Sequence, residues 1–204
     1  MSQEENIKEK ESIIIQAARK RFAHYGFSKV TMDEIAGDVE MGKASLYYYF
    51  PTKEDLFRSV ISQELSELQK NIEFILSEPN SASKKLQRYV EQRMIFFQKL
   101  INLGTLSVHA YFDTKSLFKK IFLDFAEVEM GLIKKIIEEG KKSNEFNPDL
   151  NEDIAEVFLH ILQGLRCNVL RFAKGQGIDD ETRNNLQKEM SIATDIFIHG
   201  IKKR

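Results

Sequence analysis

Helix-breaking residues are scarce in this chain, and long stretches with helical spacing of apolar residues lie between them. The 204 residues include only three prolines and ten glycines. Apolar residues recur every three or four positions through most of the chain, as they do on the buried side of an α-helix. Because few residues would interrupt such helices, the sequence predicts an all-α fold.

About nine helices are predicted, in two groups. Three short helices form an N-terminal bundle, which we assign to a first domain of residues 1–52. Six more form a larger second domain of residues 53–204. We expect these six near residues 53–78, 81–102, 104–112, 114–143, 153–174 and 181–202.

The second and third helices have the features of a helix-turn-helix. Thr31 and Glu34 have the spacing of a capping box, in which each side chain bonds the backbone N–H of the other residue. A break at residues 40–42 separates this helix from the next, which begins near Lys43. Two short helices joined by a tight turn are the basic unit of this DNA-binding motif.

The third helix carries three consecutive tyrosines, and its helical period gives each one a direction. Leu46 and Phe50 fall on one side at i and i+4, and Tyr48 falls nearly opposite Leu46. Small residues allow a helix to approach closely, and phenolic hydroxyls can donate to phosphate oxygens or base edges. Packing at a domain boundary is the alternative for Tyr47 and Tyr49. The predicted outward face begins at Lys43 and continues with Ala44, Ser45, Tyr47 and Tyr48.

The run from Thr31 to Leu56, T-M-D-E-I-A…L-Y-Y-Y-F-P-T-K-E-D-L, resembles the DNA-binding segment of TetR-type transcriptional regulators. The chain departs from that pattern at Glu40, where the family usually has glycine, and we expect strain there. Gly42 replaces the usual serine cap, and Ala44 replaces a glycine. The resemblance implies these DNA-binding residues: Thr31, Lys43, Ala44, Ser45, Tyr47, Tyr48 and Lys53.

The N-terminal segment is not basic, although DNA is its expected partner. Residues 1–58 contain nine basic and ten acidic side chains. Because attraction to phosphate dominates non-specific affinity, we expect binding to depend on a few placed contacts and on dimerisation. Lys29, Lys43 and Lys53 border the tyrosine face.

The resemblance also implies a homodimer that binds palindromic double-stranded operator DNA, with no cofactor. We call the predicted N-terminal bundle of residues 1–52 the reading head. Two reading heads must lie about 34–36 Å apart to enter successive major grooves of DNA, and one chain of this size has only one. Antiparallel pairing of the last two helices with a second copy would form a four-helix interface. Its predicted residues are Phe158, Ile161, Leu162, Leu165, Val169, Ile192, Ile196 and Phe197.

Phenylalanine is abundant, at 15 residues in a chain without tryptophan. Filling of the core explains most of them, and lining of an apolar effector cavity is the sharper hypothesis. The predicted pocket residues are Phe74, Phe96, Phe97, His109, Phe112 and Phe122. The family resemblance implies a ligand-responsive transcriptional regulator, and with this pocket we expect a repressor that a small, largely apolar effector of unknown identity releases from DNA. The alternatives are a ligand-dependent DNA binder or activator of the same fold, or an all-helical interaction scaffold.

Enzymatic and metal-binding motifs are missing from the sequence. The four histidines are far apart, the single cysteine is Cys167, and HExxH, GxSxG, P-loop and GxGxxG patterns do not occur. Glu156 and His160 have i,i+4 spacing that could chelate a metal, but a hydrogen-bonded interface histidine is the alternative. The polar N-terminal segment and the absence of an 18-residue apolar run predict a cytoplasmic protein with no membrane partner.

Overall fold

Eight α-helices make up the computed structural model in the residues that it describes, which are 3–100, 108–172 and 179–203. Of residues 3, 108–124 and 170–172 it describes the backbone alone. The all-α prediction is confirmed. The helices are α1 (Gln3–Tyr25), α2 (Met32–Asp38), α3 (Lys43–Tyr49), α4 (Lys53–Ser77), α5 (Ala82–Leu100), α6 (Val108–Lys142), α7 (Ile154–Phe172) and α8 (Asp180–Ile201).

The predicted division of the middle region into two helices, 104–112 and 114–143, is wrong. A single helix of 35 residues, α6, runs through the expected break at residue 113. The sequence there, Y-F-D-T-K, contains no glycine or proline, so nothing interrupts the backbone hydrogen bonds. Within the described residues the helices therefore number eight instead of about nine.

Helices α1 to α3 pack around one apolar cluster. Ile14, Ala18 and Phe22 of α1 are buried together with Ile35 of α2 and Leu46 of α3. Helix α1 ends at residue 25, and Gly26 adopts a φ of 82°, a left-handed conformation that glycine tolerates. Helix α2 packs against both α1 and α3.

Helix α4 belongs to two parts of the core. Near its start, the Phe57 ring meets the Phe22 ring of α1 edge-on, with centroids 5.2 Å apart. Further along, Leu68 and Ile72 are buried, and α4 packs against α5 and α6 as well as α1. A displacement of α4 would therefore change packing contacts in both groups of helices. The division proposed at residue 52 lies immediately before this helix.

The remaining helices, α5 to α8, form the larger bundle with the second half of α4. The loop after α6 forms hydrogen bonds with the start of α5 and with the residues after α8. The Glu145 carboxylate accepts hydrogen bonds from the backbone N–H groups of Ala82 and Ser83 at the start of α5, at 2.8 and 3.1 Å. The Glu145 carbonyl also accepts from the N–H of Lys203, just after α8. No helix in the described ranges is long and apolar enough to cross a membrane.

Candidate nucleic-acid interface

The start of α2 is fixed by the predicted capping box, which is confirmed. The Thr31 hydroxyl accepts from the Glu34 N–H at 3.3 Å, and the Thr31 N–H donates to the Glu34 carboxylate at 2.8 Å. The backbone and hydroxyl hydrogen bonds from Thr31 hold the pKa of Glu34 below its usual value. Thr31 is exposed, so its side chain lies at the protein surface where α2 begins.

The turn between α2 and α3 contains the expected strain. Glu40 adopts a φ of 53°, in the left-handed region that favours glycine. The next N–H, of Met41, donates to the Ala36 carbonyl at 2.9 Å and closes the turn. Gly42 is the N-cap of α3, with extended backbone and no side-chain cap. The turn thus keeps its shape despite two departures from the preferred residue types.

The predicted orientation of α3 agrees with the structure. Leu46 and Phe50 are buried, whereas Tyr48 is 76% exposed and Tyr47 is 39% exposed. Tyr49 is partly buried, and its ring meets that of Tyr48 edge-on at 5.4 Å. Lys43, Ala44 and Ser45 are exposed as well. We call the exposed set the reading face: Lys43, Ala44, Ser45, Tyr47 and Tyr48.

Lys43 is held at the edge of the reading face by α2. Its Nζ donates to Asp33 at 2.9 Å, and this hydrogen bond and the Asp33 charge raise the pKa of Lys43. The same Nζ lies 6.0 Å from the centre of the Tyr47 ring. Both members of the ion pair are well exposed, and such pairs contribute little to stability. Breaking the ion pair between Lys43 and Asp33 would therefore cost little free energy.

Lys53 makes contacts inside the chain that the sequence did not predict. Its Nζ donates to the carbonyl oxygens of Phe27 and Val30, at 2.9 and 3.0 Å, and lies 4.5 Å from the centre of the Phe27 ring. Lys53 thus ties the first residue of α4 to the loop before α2. Its predicted phosphate contact stays a prediction, and the sequence analysis missed this internal role.

An arginine side chain of α1 joins that helix to α2. Arg21 makes a two-pronged contact with Asp38, including a 2.8 Å hydrogen bond from Nη2, and lies 3.5 Å from Glu34. The hydrogen bond from Arg21 holds the pKa of Asp38 below its usual value. Sequence spacing gave no signal for this pair, because its members are 17 residues apart on different helices.

The residues predicted for a dimer interface divide into buried, partly buried and exposed sets. Phe158, Leu162 and Phe197 are buried inside the chain, so their assignment to an exposed interface is wrong. Both sides of α7 are apolar, and helical spacing alone did not separate the side that packs on α8. Leu165 and Val169 are partly buried. The exposed set is Ile161, Ile192 and Ile196, together with Val157, which the sequence analysis missed.

The residues predicted for an effector pocket also differ in their exposure to solvent. Phe74 is 63% exposed, because the inner side of α4 is occupied by Ile72 and Ile75, and its assignment to an internal pocket is wrong. Phe96 and Phe97 are buried; the first lies 6.3 Å from the Phe125 ring. The side chains of His109, Phe112 and Phe122 lie outside the described residues.

A buried polar cluster near these phenylalanines was not predicted. The Glu129 carboxylate on α6 accepts from the Tyr89 hydroxyl at 2.7 Å and from Arg93 Nε and Nη2 at 2.7 and 3.2 Å. Burial raises the pKa of Tyr89, which keeps its hydroxyl a donor. Helices α5 and α6 are thus joined by a charged pair inside the larger bundle.

The spacing of Glu156 and His160 does not create a metal site in the part of the chain that the structure describes. Their nearest side-chain atoms, Oε1 and Nε2, are 3.8 Å apart, and both side chains are exposed. Among the described residues no group of three potential metal ligands comes together.

The chain is similar in sequence and in structure to known transcriptional regulators. The family model described as "Bacterial regulatory proteins, tetR family" matches residues 14–60, from the core of α1 into α4. A solved transcriptional regulator from Cytophaga hutchinsonii is 39% identical, covers 95% of this chain and 99% of its own, and superposes with a TM-score of 0.89.

Two curated relatives align over most of their length. The transcriptional regulator QacR from Staphylococcus aureus is 24% identical over 97% of this chain and 100% of its own. The transcriptional repressor KstR2 from Mycolicibacterium smegmatis is 26% identical over 72% of each chain. Two Bacillus subtilis regulators are matched over only 63% and 19% of their own lengths.

Proposed function

Because the chain belongs to the TetR family of DNA-binding transcriptional regulators, we propose that it represses transcription from a palindromic operator. We further propose that a small, largely apolar effector releases the chain from that operator. Members of this family are not enzymes. The exposed reading face of α3 is the observation that carries the proposal. The relative KstR2 is a repressor, which supports repression as the outcome of operator binding.

The reading face suits a major groove. Ala44 and Ser45 in its first turn leave room for the backbone to approach the bases, while Tyr47 and Tyr48 extend phenolic hydroxyls further along. Thr31 is exposed at the start of α2, where its hydroxyl bonds Glu34, and we include it in the proposed interface because the family resemblance implies it. We assign DNA binding to residues 1–52 on this basis, and effector binding and dimerisation to residues 53–204.

Exposed apolar side chains on the last two helices support a homodimer. Val157 and Ile161 are one turn apart on α7, and Ile192 and Ile196 are one turn apart on α8. Burial of such a set of apolar side chains away from water lowers the free energy and so favours association. Pairing of α7 and α8 with the same helices of a second copy would bury all four residues and hold two reading heads on one duplex.

Helix α4 is the element that can connect effector binding to DNA release. Only residues 50–52 separate it from α3, and it packs against α6 and against α5, the helix that carries the buried Phe96 and Phe97. An effector bound among these helices would displace α4 and with it the reading head. To change the competent fraction from 99% to 1%, the effector must prefer the incompetent state by about 5.5 kcal/mol.

A linkage experiment tests this function. Operator duplexes are selected from random DNA, and lipophilic compounds are screened by thermal shift on the full chain. The affinity of each hit is then measured for the free protein and for the operator complex. We expect the operator to weaken effector binding by the same factor as the effector weakens operator binding. Equal affinities would contradict effector-driven release, and tighter binding on DNA would favour a ligand-dependent DNA binder.

A further inference from the structure

A buried carboxylate lies in the middle of α4 between cations of two other helices. Glu64 is 2% exposed. One of its oxygens is paired with Arg19 Nε of α1, and the other lies 3.2 Å from Lys99 Nζ of α5. Glu64 therefore joins a helix of the N-terminal group to a helix of the larger bundle.

Glu67 repeats these contacts close to the surface. Its two oxygens lie 3.4 Å from Arg19 Nη1 and 3.3 Å from Lys99 Nζ. Each cation thus contacts both carboxylates, which are three residues apart on α4. We call this set, Arg19, Glu64, Glu67 and Lys99, the α4 charge network.

Burial makes the geometry of this network strict. A carboxylate removed from water is tolerated only while its charge is paired, so α4 cannot rotate or slide without losing the partners of Glu64. The neighbouring apolar contacts, made by residues such as Leu65 and Leu68, are non-directional and tolerate small displacements. A buried polar group in an apolar interface can fix the register of helices in this way.

We propose that the α4 charge network positions the reading head relative to the larger bundle and so sets the operator half-site spacing that the dimer accepts. Arg19 belongs to the helix that supplies much of the head's core, and Lys99 belongs to the bundle that we expect to carry the dimer interface. Because α4 passes between them, the network fixes the head's angle to the rest of the chain. This inference rests on the proposed function, since a spacing exists only for a dimer on two half-sites.

The test compares operators whose half-sites are moved together or apart by one base pair. One base pair changes their separation by about 3.4 Å and also rotates one half-site about the duplex axis. The principal variant combines Arg19→Met, Glu64→Leu and Lys99→Met, because replacing the buried carboxylate together with both of its cations leaves no unpaired buried charge. Wild type should prefer its selected spacing by about tenfold or more, and the variant should retain less than about threefold preference.

Two further variants distinguish positioning from general stability. Lys99→Met alone changes a partly exposed side chain, so it should fold and should lose part of the spacing preference. Lys85→Met removes a buried cation whose Nζ bonds Glu139 of α6 and the carbonyl of Leu76 in the last turn of α4, so neither of these partners belongs to α1. It should lower the melting temperature and leave the spacing preference unchanged.

The outcomes separate the inference from the function on which it rests. Wild-type spacing preference in both the triple variant and Lys99→Met would overturn the inference, as would an equal loss of preference in Lys85→Met. If wild-type protein bound isolated half-sites as tightly as paired ones, the proposed dimeric function itself would fail. Loss of spacing preference in the triple variant, with single half-site affinity retained, would support both.

Discussion

The Phe158 ring of α7 stacks on the Phe197 ring of α8, with centroids 4.3 Å apart and an angle of 26° between the planes. Both residues are buried within one chain, so the inner sides of α7 and α8 are already occupied by each other. A second copy that pairs with α7 and α8, as we propose, must therefore contact their outer sides, where Ile161 and Ile196 are exposed.

Substitution on these outer sides should separate subunits without unfolding them. Ile196 is 67% exposed, so Ile196→Asp should leave the helix intact and place a charge in the proposed interface. We expect monomers by light scattering at micromolar concentration and loss of specific operator binding. As a matched control, Phe158→Ala should destabilise the fold by about 3–5 kcal/mol. A dimer of unchanged affinity in Ile196→Asp would place the interface elsewhere.

Tyr48 offers the most direct test of the reading face. Because its side chain projects into solvent, Tyr48→Ala should leave the unfolding midpoint nearly unchanged while it weakens operator binding by about 1–3 kcal/mol. Tyr48→Phe separates the hydroxyl from the ring, and it should lose about 1 kcal/mol if the hydroxyl bonds DNA. Fluorescence anisotropy with the selected operator measures both. Normal binding by Tyr48→Ala would show that α3 presents another side to DNA.

Local features of the sequence were sufficient for the N-terminal helices. The capping box at Thr31 and the outward direction of Tyr48 depend on residues within one helical turn, and the resemblance covers the same region. Prediction failed where side chains distant in sequence decide the outcome. Lys53 bonds carbonyls 26 and 23 residues earlier, and the exposure of Phe74 depends on how α4 packs against α5 and α6. Helical periodicity alone does not report such tertiary contacts.

Lys53 now has two possible roles, which one substitution can separate. Lys53→Met keeps the aliphatic stem against Phe27 but removes two hydrogen bonds to carbonyls. The stability of the chain should fall by about 1.5–3 kcal/mol, as is typical of hydrogen bonds to charged groups. If Lys53 also neutralises a phosphate, the dependence of log affinity on log salt should become shallower by about 0.9. An unchanged salt slope with lowered stability would leave Lys53 with the internal role alone.

The pair of Arg21 and Asp38 should make the structure sensitive to acid. Because the folded pKa of Asp38 is lowered, its contribution to stability is present above the unfolded value of about 3.9 and is lost as the pH falls through the folded value. Glu34, whose pKa is also lowered, contributes with the same sign. Urea midpoints measured from pH 6 to pH 3 should fall less steeply in Asp38→Asn than in wild type. Parallel curves would show that the pair adds nothing measurable.

Glu40 should be a site where glycine stabilises the protein. Its φ of 53° is strained for a residue with a Cβ, and such strain costs on the order of 1–3 kcal/mol. Glycine adopts this conformation freely but loses about 0.5–1 kcal/mol more in backbone entropy on folding. Glu40→Gly should therefore raise the free energy of unfolding by about 1 kcal/mol.

Asn144 provides a comparison for that substitution, because its φ is 59° and asparagine tolerates the left-handed region better than glutamate does. Its Oδ1 also accepts a hydrogen bond from Lys203 Nζ at 3.0 Å, which glycine would remove. Asn144→Gly should gain less than Glu40→Gly by urea unfolding. Operator affinity of Glu40→Gly should match wild type, because the turn keeps its backbone conformation and the reading face keeps its angle to α2. A destabilised Glu40→Gly would mean that the Glu40 side chain makes a stabilising contact that outweighs its backbone strain.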